Sequence, residues 1–403
     1  MKLLKITSFY PSYLSEFYAQ RPGLAEKSFV EQKEALDFDA FGWSDYWSNA
    51  LEPLGYQVME VTINAAPLQR AWGRENGGPA GGRMDLKQIA VAQAKDFQPD
   101  ILWFDDPDVD LLLRIREECP SIRLVLGWSG SPIAHTDVWR RTHLILSCAP
   151  EAVNYFRGLG LNAAHLDHGF DPRINSRLAG RTKRFDFSFI GQLVRSSTFH
   201  LHRDRMLEDL AHTVPISIFS PSASLGLLDD VKALLMAGVY DVVRLLQRSG
   251  IPEAALMRVP LAGRVARWPY RPARPVNRAL KPFLRPAVFG LSMFQVIRDS
   301  RMVLNIHADS SPLFASNMRL FETTGTGSCL VTDWKPNLPE LFEPDREVVV
   351  YKSTEECREK VTWLLEHPAE MESIAKAGQK RTLENHGFSH RAPLLDNIIK
   401  GAL

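Results

Sequence analysis

Short apolar runs alternate with amphipathic stretches along most of this chain, and that alternation limits the fold more than any other feature. Residues 2 to 8, GYQVMEVTI, ILWFDD, IRLVLGWSG and HLILSCAP read as strands. Residues 25 to 37, 43 to 54 and 85 to 96, and the run DLLLRIREECP, read as helices between them. ILWFDD is apolar until its acidic end, as expected of a buried parallel strand. The connections are short, which predicts a parallel sheet covered by helices on both faces. Pro11 ends the first strand, and the Gly- and Pro-rich stretch from Ala65 to Gly82 reads as a loop. The rhythm stops at the basic GRTKR, so a first domain is expected over residues 1–180.

FDFSFIGQ opens a second unit of the same kind. FSFIG, PISIFSPS, CLVTD and EVVVYKS read as strands, RDRMLEDLAH as a helix, and MFQVIRDSRMVLNIHA as a helix and strand. A second domain is expected over 181–380. The tail from Glu355 to Ile399 is largely helical, with Glu356 and Lys360 alternating with Val361, Trp363 and Leu364. Its last part, 381–403, is expected to pack back on the first domain. Two doubly wound α/β domains facing each other leave a cleft lined by the carboxyl ends of their strands.

With 403 residues there is room for two such domains. A net charge of +1 gives no global reason to expect a nucleic-acid partner. Cys119, Cys148, Cys329 and Cys357 are scattered without a CxxC pair, which fits unpaired thiols in a reducing compartment. Lys5 interrupts the first apolar run, so the N-terminus reads as a strand and not a secretory signal. No apolar run is long enough to cross a membrane, and a cytoplasmic protein is expected. One segment breaks the pattern. Residues 264–285 carry Arg264, Arg267, Arg271, Arg274, Arg278, Lys281 and Arg285 with no acid, interleaved with Trp268, Tyr270 and Phe283. It reads either as a solvated excursion or as a surface for anionic lipid or a phosphorylated carrier. Stacking on nucleic-acid bases would need more than one short segment of this character.

The chemistry-bearing positions cluster at the ends of the expected strands. Asn317 to Asp333, NMRLFETTGTGSCLVTD, combines a helix, an acid and a glycine turn before an apolar strand. The Glu322 carboxylate can accept two hydrogen bonds from adjacent hydroxyls such as those of a ribose; its alternative is a solvated glutamate or a partner of Arg319, three residues away. Gly325 and Gly327 allow a sharp turn or a close ligand approach. Asn317 can cap the helix or touch a donor sugar, and Asn305 and His307 lie nearby. After FSFIG, Gly191 and Gln192 offer backbone N–H groups and Arg195 a fork of donors for a diphosphate. Arg203 and Arg205 read as ordinary helix-surface residues. In the first unit Asp106, within Asp105, Asp106 and Asp108, is a candidate base for an acceptor hydroxyl, as is His135. Ser8, Tyr10, Trp128 and His168 are candidate acceptor contacts. Neither the Asp106-Pro107-Asp108 spacing nor the pair His165 and His168 makes a metal site, and no metal is expected.

With these residues in place, the chain resembles the two-domain glycosyltransferases of the GT-B architecture. It is similar to the bacterial group related to the spore-maturation CgeB proteins and, more distantly, to the family-four retaining transferases. The resemblance covers most of the chain and is carried by HLDHGFDP, FDFSFIGQ, SMFQVIRDSRMVLNIHA, NMRLFETTGTGSCLVTD, NLPELFEPDREVVVY and LLEHPAEMESIAKAGQKRTLENH. It implies two facing Rossmann-like domains with a helical C-terminal tail. A nucleotide-diphosphate sugar would be held mainly by the second domain, and a glycan or glycoconjugate acceptor by the first. Glu322 matches the glutamate expected at the ribose, and Gly325 and Gly327 match a glycine-bearing loop near the donor. No cofactor or metal is implied beyond the donor substrate. The chain departs from the family-four acidic pair at Phe314, eight residues before Glu322, and its first strand lacks a glycine-pair loop. A sugar-nucleotide epimerase and a non-catalytic interaction protein are the alternative readings.

Overall fold

The computed structural model describes residues 1–77, 85–130, 136–180, 182–193, 201–275, 277–307 and 311–403. Its framework is two six-stranded sheets, parallel throughout. The first contains β1 (Lys2–Thr7), β2 (Gln57–Thr62), β3 (Ile101–Asp105), β4 (Leu124–Trp128), β5 (Leu144–Ser147) and β6 (Ala163–His165), in the order β2-β1-β3-β4-β5-β6. The second contains β7 (Phe185–Ile190), β8 (Ile216–Phe219), β9 (Leu284–Arg285), β10 (Ser300–Asn305), β11 (Cys329–Asp333) and β12 (Val349–Tyr351), in the order β12-β11-β10-β7-β8-β9. Chain order reverses between β1 and β3 in one sheet and between β7 and β10 in the other. Consecutive crossovers leave such a point in opposite directions, so a crevice opens beyond the carboxyl ends of those strands.

Strand alternation sorts the side chains between two cores. Leu4 and Ile6 of β1 join Leu102, Phe104 and Val125 on one face. Leu3, Ile101 and Trp103 point to the other, into a cluster that continues through Phe170 and Ile174 to Phe294, Val303, Leu320 and Leu395. That second core belongs to both units and holds them face to face. The C-terminal helix Phe388–Ala402 packs on the first unit, with the Phe388 ring 5.0 Å from Tyr46 and 5.1 Å from Trp47. The Tyr56 hydroxyl donates to Asp396 at 2.8 Å. Phe170, between the sheets, donates its N–H to the His386 carbonyl at 2.9 Å and accepts from the Phe388 N–H at 3.2 Å.

Two local expectations change. The Gly- and Pro-rich stretch after Ala65 contains a helix, Ala66–Glu75, in place of a loop. Pro67 falls in its first turn, where a missing N–H is not needed, and Leu68, Ala71 and Trp72 are buried. Residues 264–285 are no simple excursion. They close a helical insertion between β8 and β9 that holds a long helix, Leu227–Arg248, and two short ones, Glu253–Leu256 and Pro260–Val265. Among the described residues no helix is long and apolar enough to cross a membrane.

Candidate functional site

A cavity of about 360 Å³ lies between the two units beyond the end of β1. Ser8, Tyr10, Trp128 and His168 all line it, so the four acceptor-side positions come together. Met293, Met318 and Glu322 line it from the second unit. Aromatic rings form much of the first unit's wall. Trp43 stands edge-on to Trp128 at 4.6 Å, and the His168 ring is 5.3 Å from Trp128 and 5.7 Å from Trp43. Burial, reinforced by Arg391 and opposed by Asp167, holds the His168 imidazole down at about 4. The ring is therefore neutral at neutral pH and can hydrogen bond without adding charge.

The first unit also brings charge to this wall. Lys5 is 2% exposed and lines the cavity. Its ammonium lies 5.1 Å from the Trp43 ring and 6.0 Å from Trp103, within cation–π range. Asp105 lines the cavity too, and the Thr7 hydroxyl donates to it at 3.4 Å. Burial pushes the Asp105 carboxyl above its ordinary range, with Lys5 and Thr7 opposing. Glu60, beside Lys5 on β2, is pushed up in the same way while it accepts the Ser48 N–H and O–H at 2.9 and 2.8 Å.

This arrangement corrects the choice among the acids. Asp106 accepts the Ser8 hydroxyl at 2.7 Å and the Asp108 N–H at 3.0 Å, and does not line the cavity. Asp108 caps the helix Val109–Glu118 by accepting from Leu111 N–H at 3.0 Å, and it pairs with Lys87. Of these three acids, Asp105 lines the cavity. Among the described residues no group of three or more His, Cys, Asp or Glu side chains is arranged to hold a metal ion. His135 and Arg195 lie outside the described residues.

In the second unit Glu322 sits in the helix Met318–Thr326. The Arg319 guanidinium pairs with its Oε2 at 2.8 Å. Arg319 also reaches the Ile190 carbonyl at 3.5 Å and the Met293 sulfur at 3.4 Å, which ties the helix to the end of β7. Asn317 begins the helix without a side-chain cap. Its Nδ2 donates to Asn305 Oδ1 at 2.9 Å, joining the helix start to the end of β10.

Of the two glycines before β11, Gly327 makes the expected turn and Gly325 does not. Gly325 is inside the helix, packed against the Phe170 ring with no room for a side chain, and its carbonyl accepts from Asn175 at 3.0 Å and Gln379 at 3.1 Å. Gly327 ends the helix with φ +79°, a conformation that favours glycine, directly before β11. Both stand at the carboxyl end of the helix, whereas Met318 and Glu322 line the cavity. Gly191 does not offer a free N–H, because it donates to the Phe219 carbonyl at 3.0 Å. The Gln192 carbonyl accepts from Arg203 at 3.3 Å, and Arg203 also donates to the Ile306 carbonyl at 2.9 Å. Arg203 therefore braces the segments after β7 and β10, a role its place on a helix surface did not suggest.

Beside it, His307 Nδ1 lies 2.6 Å from Asp333 Oδ1, and Lys335 pairs with Oδ2 at 3.1 Å. Burial raises the Asp333 carboxyl, but the hydrogen bond and charge of His307 and the charge of Lys335 prevail and hold it at about 2. A depressed carboxyl adds stability above its unfolded pKa and loses it as pH falls through the folded value. The shift from 3.8 to about 2 corresponds to about 2 kcal/mol at neutral pH. Asp333→Asn is expected to lower the melting temperature at pH 7, and the difference from the parent should shrink by roughly half at pH 3. A pH-independent difference would assign the effect to packing.

Residues 242–397 match the family model described as glycosyl transferase-like. No curated protein matches this chain. Among solved structures, Anabaena Alr3699/HepE in complex with UDP-glucose is similar over 100% of both chains, at 12% identity and a TM-score of 0.52. A glycosyltransferase from Rickettsia africae is similar over 100% of this chain and 98% of its own, at 8% identity and a TM-score of 0.54. Sucrose-phosphate synthase from Thermosynechococcus elongatus covers the same shares at 10% identity and a TM-score of 0.51. At such identities the likeness is one of fold, and that fold is the GT-B architecture of two facing Rossmann-like units.

Proposed function

We propose that this chain is a glycosyltransferase that moves a hexose-type sugar from a nucleotide-diphosphate donor to a hydroxyl of a glycan or glycoconjugate, without a bound metal. The observation that carries this reading is the Glu322 carboxylate, which lines a cleft whose other wall presents Asp105, His168 and the Trp43–Trp128 pair. A carboxylate suits a ribose hydroxyl, and flat aromatic faces suit the C–H face of a sugar. The second domain, 181–380, then serves the donor. The first, 1–180, serves the acceptor, with 381–403 supporting it. Arg195 remains assigned to the departing diphosphate, Gln192, Asn317 and Arg319 to the donor side, and His135 to the acceptor. The resemblance of its block order to the CgeB-like transferases supports the same reading, and an enzyme of this kind would work in the cytoplasm on cell-envelope polysaccharide.

Both stereochemical courses fit this cleft. In inversion Asp105 takes the acceptor proton as the C–O bond forms and the diphosphate leaves. In retention the leaving phosphate takes that proton and Asp105 only orients the hydroxyl. The Alr3699/HepE complex makes UDP-sugars the first donors to try. Thermal melting with UDP-, GDP-, dTDP- and CMP-linked sugars is expected to show one selective upward shift, which at a ligand concentration of 100 Kd corresponds to about 2.7 kcal/mol. No shift with any donor would overturn the proposal. Conversion of the donor to an isomer without acceptor would make the protein an epimerase.

A further inference from the structure

The long helix of the insertion has one bare side. Leu228, Val231, Leu234, Leu235, Val242 and Leu245 are between 48% and 84% exposed. At ~100° per residue they share an arc of about 120°. The adjoining side is packed: Val243 joins Leu256, Val265 and Ala266, with Met236, Val239, Tyr240 and Leu246 against them. The helix thus buries one apolar face within its own insertion and turns a second one outward. A helix face that stays in water is polar, and an apolar patch of this extent marks a surface that becomes covered.

Charge identifies the cover. Residues 221–285 carry eleven Lys and Arg against four Asp and Glu, although the whole chain holds 48 and 47. The rest of the molecule is therefore net acidic, and the positive charge is gathered on the insertion. Three of its four acids are already matched: Asp241 by Arg271 at 2.9 Å, Glu253 by Arg267 at 2.8 Å and Asp230 by Arg278 at 3.8 Å. Lys232, Arg248, Arg258 and Arg264 are exposed and have no acidic partner among the described residues. Trp268 and Tyr270 are 37% and 53% exposed in the same segment, and Arg244 ties it to the helix by donating to the Trp268 carbonyl.

We propose that the insertion docks on an anionic phospholipid surface. The long helix lies in the plane of the membrane with its apolar arc at the boundary of headgroups and acyl chains. The arginines lie at the lipid phosphates, and Trp268 and Tyr270 at headgroup depth. A second copy of the chain is the poorer occupant, because a twofold contact through this face would oppose two patches of like charge. The inference stands on the insertion alone, independently of the donor reading.

The test is co-sedimentation of the full chain, without donor or acceptor, with phosphatidylcholine vesicles and with equimolar phosphatidylglycerol–phosphatidylcholine vesicles. Binding to the anionic vesicles is expected to exceed binding to phosphatidylcholine by about tenfold or more and to fall with salt. A variant with Leu228→Glu, Leu235→Glu and Leu245→Glu should lose binding while its melting temperature and donor-induced shift are kept. Arg258→Gln with Arg264→Gln should weaken binding and flatten its salt dependence. Equal sedimentation of the triple variant and the parent would overturn the proposal. So would absence of binding to either vesicle, and light scattering that shows a dimer dispersed by the same triple substitution would assign the face to a second copy.

Discussion

An Asp105→Asn variant is expected to lose about 10²- to 10⁴-fold in the single-turnover rate of sugar transfer, the range for a general base. The substitution keeps the shape of the side chain and removes its ability to take a proton. Asp105 qualifies by position, since it lines the cleft. It qualifies by environment too, because burial raises its carboxyl toward the pH at which a base works best, with Lys5 and Thr7 limiting the rise. The parent rate should climb with pH as this carboxyl loses its proton, and the variant should lack that limb. The stability effect has the opposite sense. A raised carboxyl contributes stability below its unfolded pKa and loses it as pH rises through the folded value. The variant should therefore melt no lower than the parent at pH 7, so a fall in rate cannot be assigned to unfolding. A small loss of rate with the pH limb intact would mean that the leaving phosphate takes the proton.

The same residue illustrates what the chain made legible. Strand and helix alternation was enough for two parallel sheets, because buried parallel strands are apolar runs whatever their order. The acidic trio after ILWF was also visible, but the choice within it depends on strand parity. Ile101, Trp103 and Asp105 share the face that meets Leu3 and Lys5, and Asp106 begins the turn beyond it. A count by twos from Trp103 would have selected Asp105. Lys5 was equally visible, as a charge inside an apolar strand, and reads as a cleft residue only once its face is known. Trp43 offered no such signal, since its approach to Trp128 is a long-range contact set by how the first unit folds. Glycine was misread at Gly325 for a related reason. A glycine in a helix serves close packing as readily as a turn, and its partner, Phe170, is distant in sequence.

Glu322→Gln is expected to weaken nucleotide-sugar binding by about 10- to 100-fold, the range for loss of a hydrogen bond to a charged group. Its carboxylate has two settings at once, paired with Arg319 and lining the cleft. The pair is largely sheltered, with side-chain exposures of 17% for Arg319 and 11% for Glu322. Removing either partner therefore leaves the other charge poorly compensated and lowers stability. Stability alone consequently cannot tell a ligand contact from a structural pair. Arg319→Gln supplies the control, because it breaks the same pair and leaves the carboxylate in place. If Glu322 grips the donor, the two variants should melt alike, yet titration calorimetry should show the larger loss of affinity for Glu322→Gln. Parent affinity in Glu322→Gln would reduce Glu322 to the structural half of an ion pair, and the donor grip would then have to come from the segments braced by Arg203.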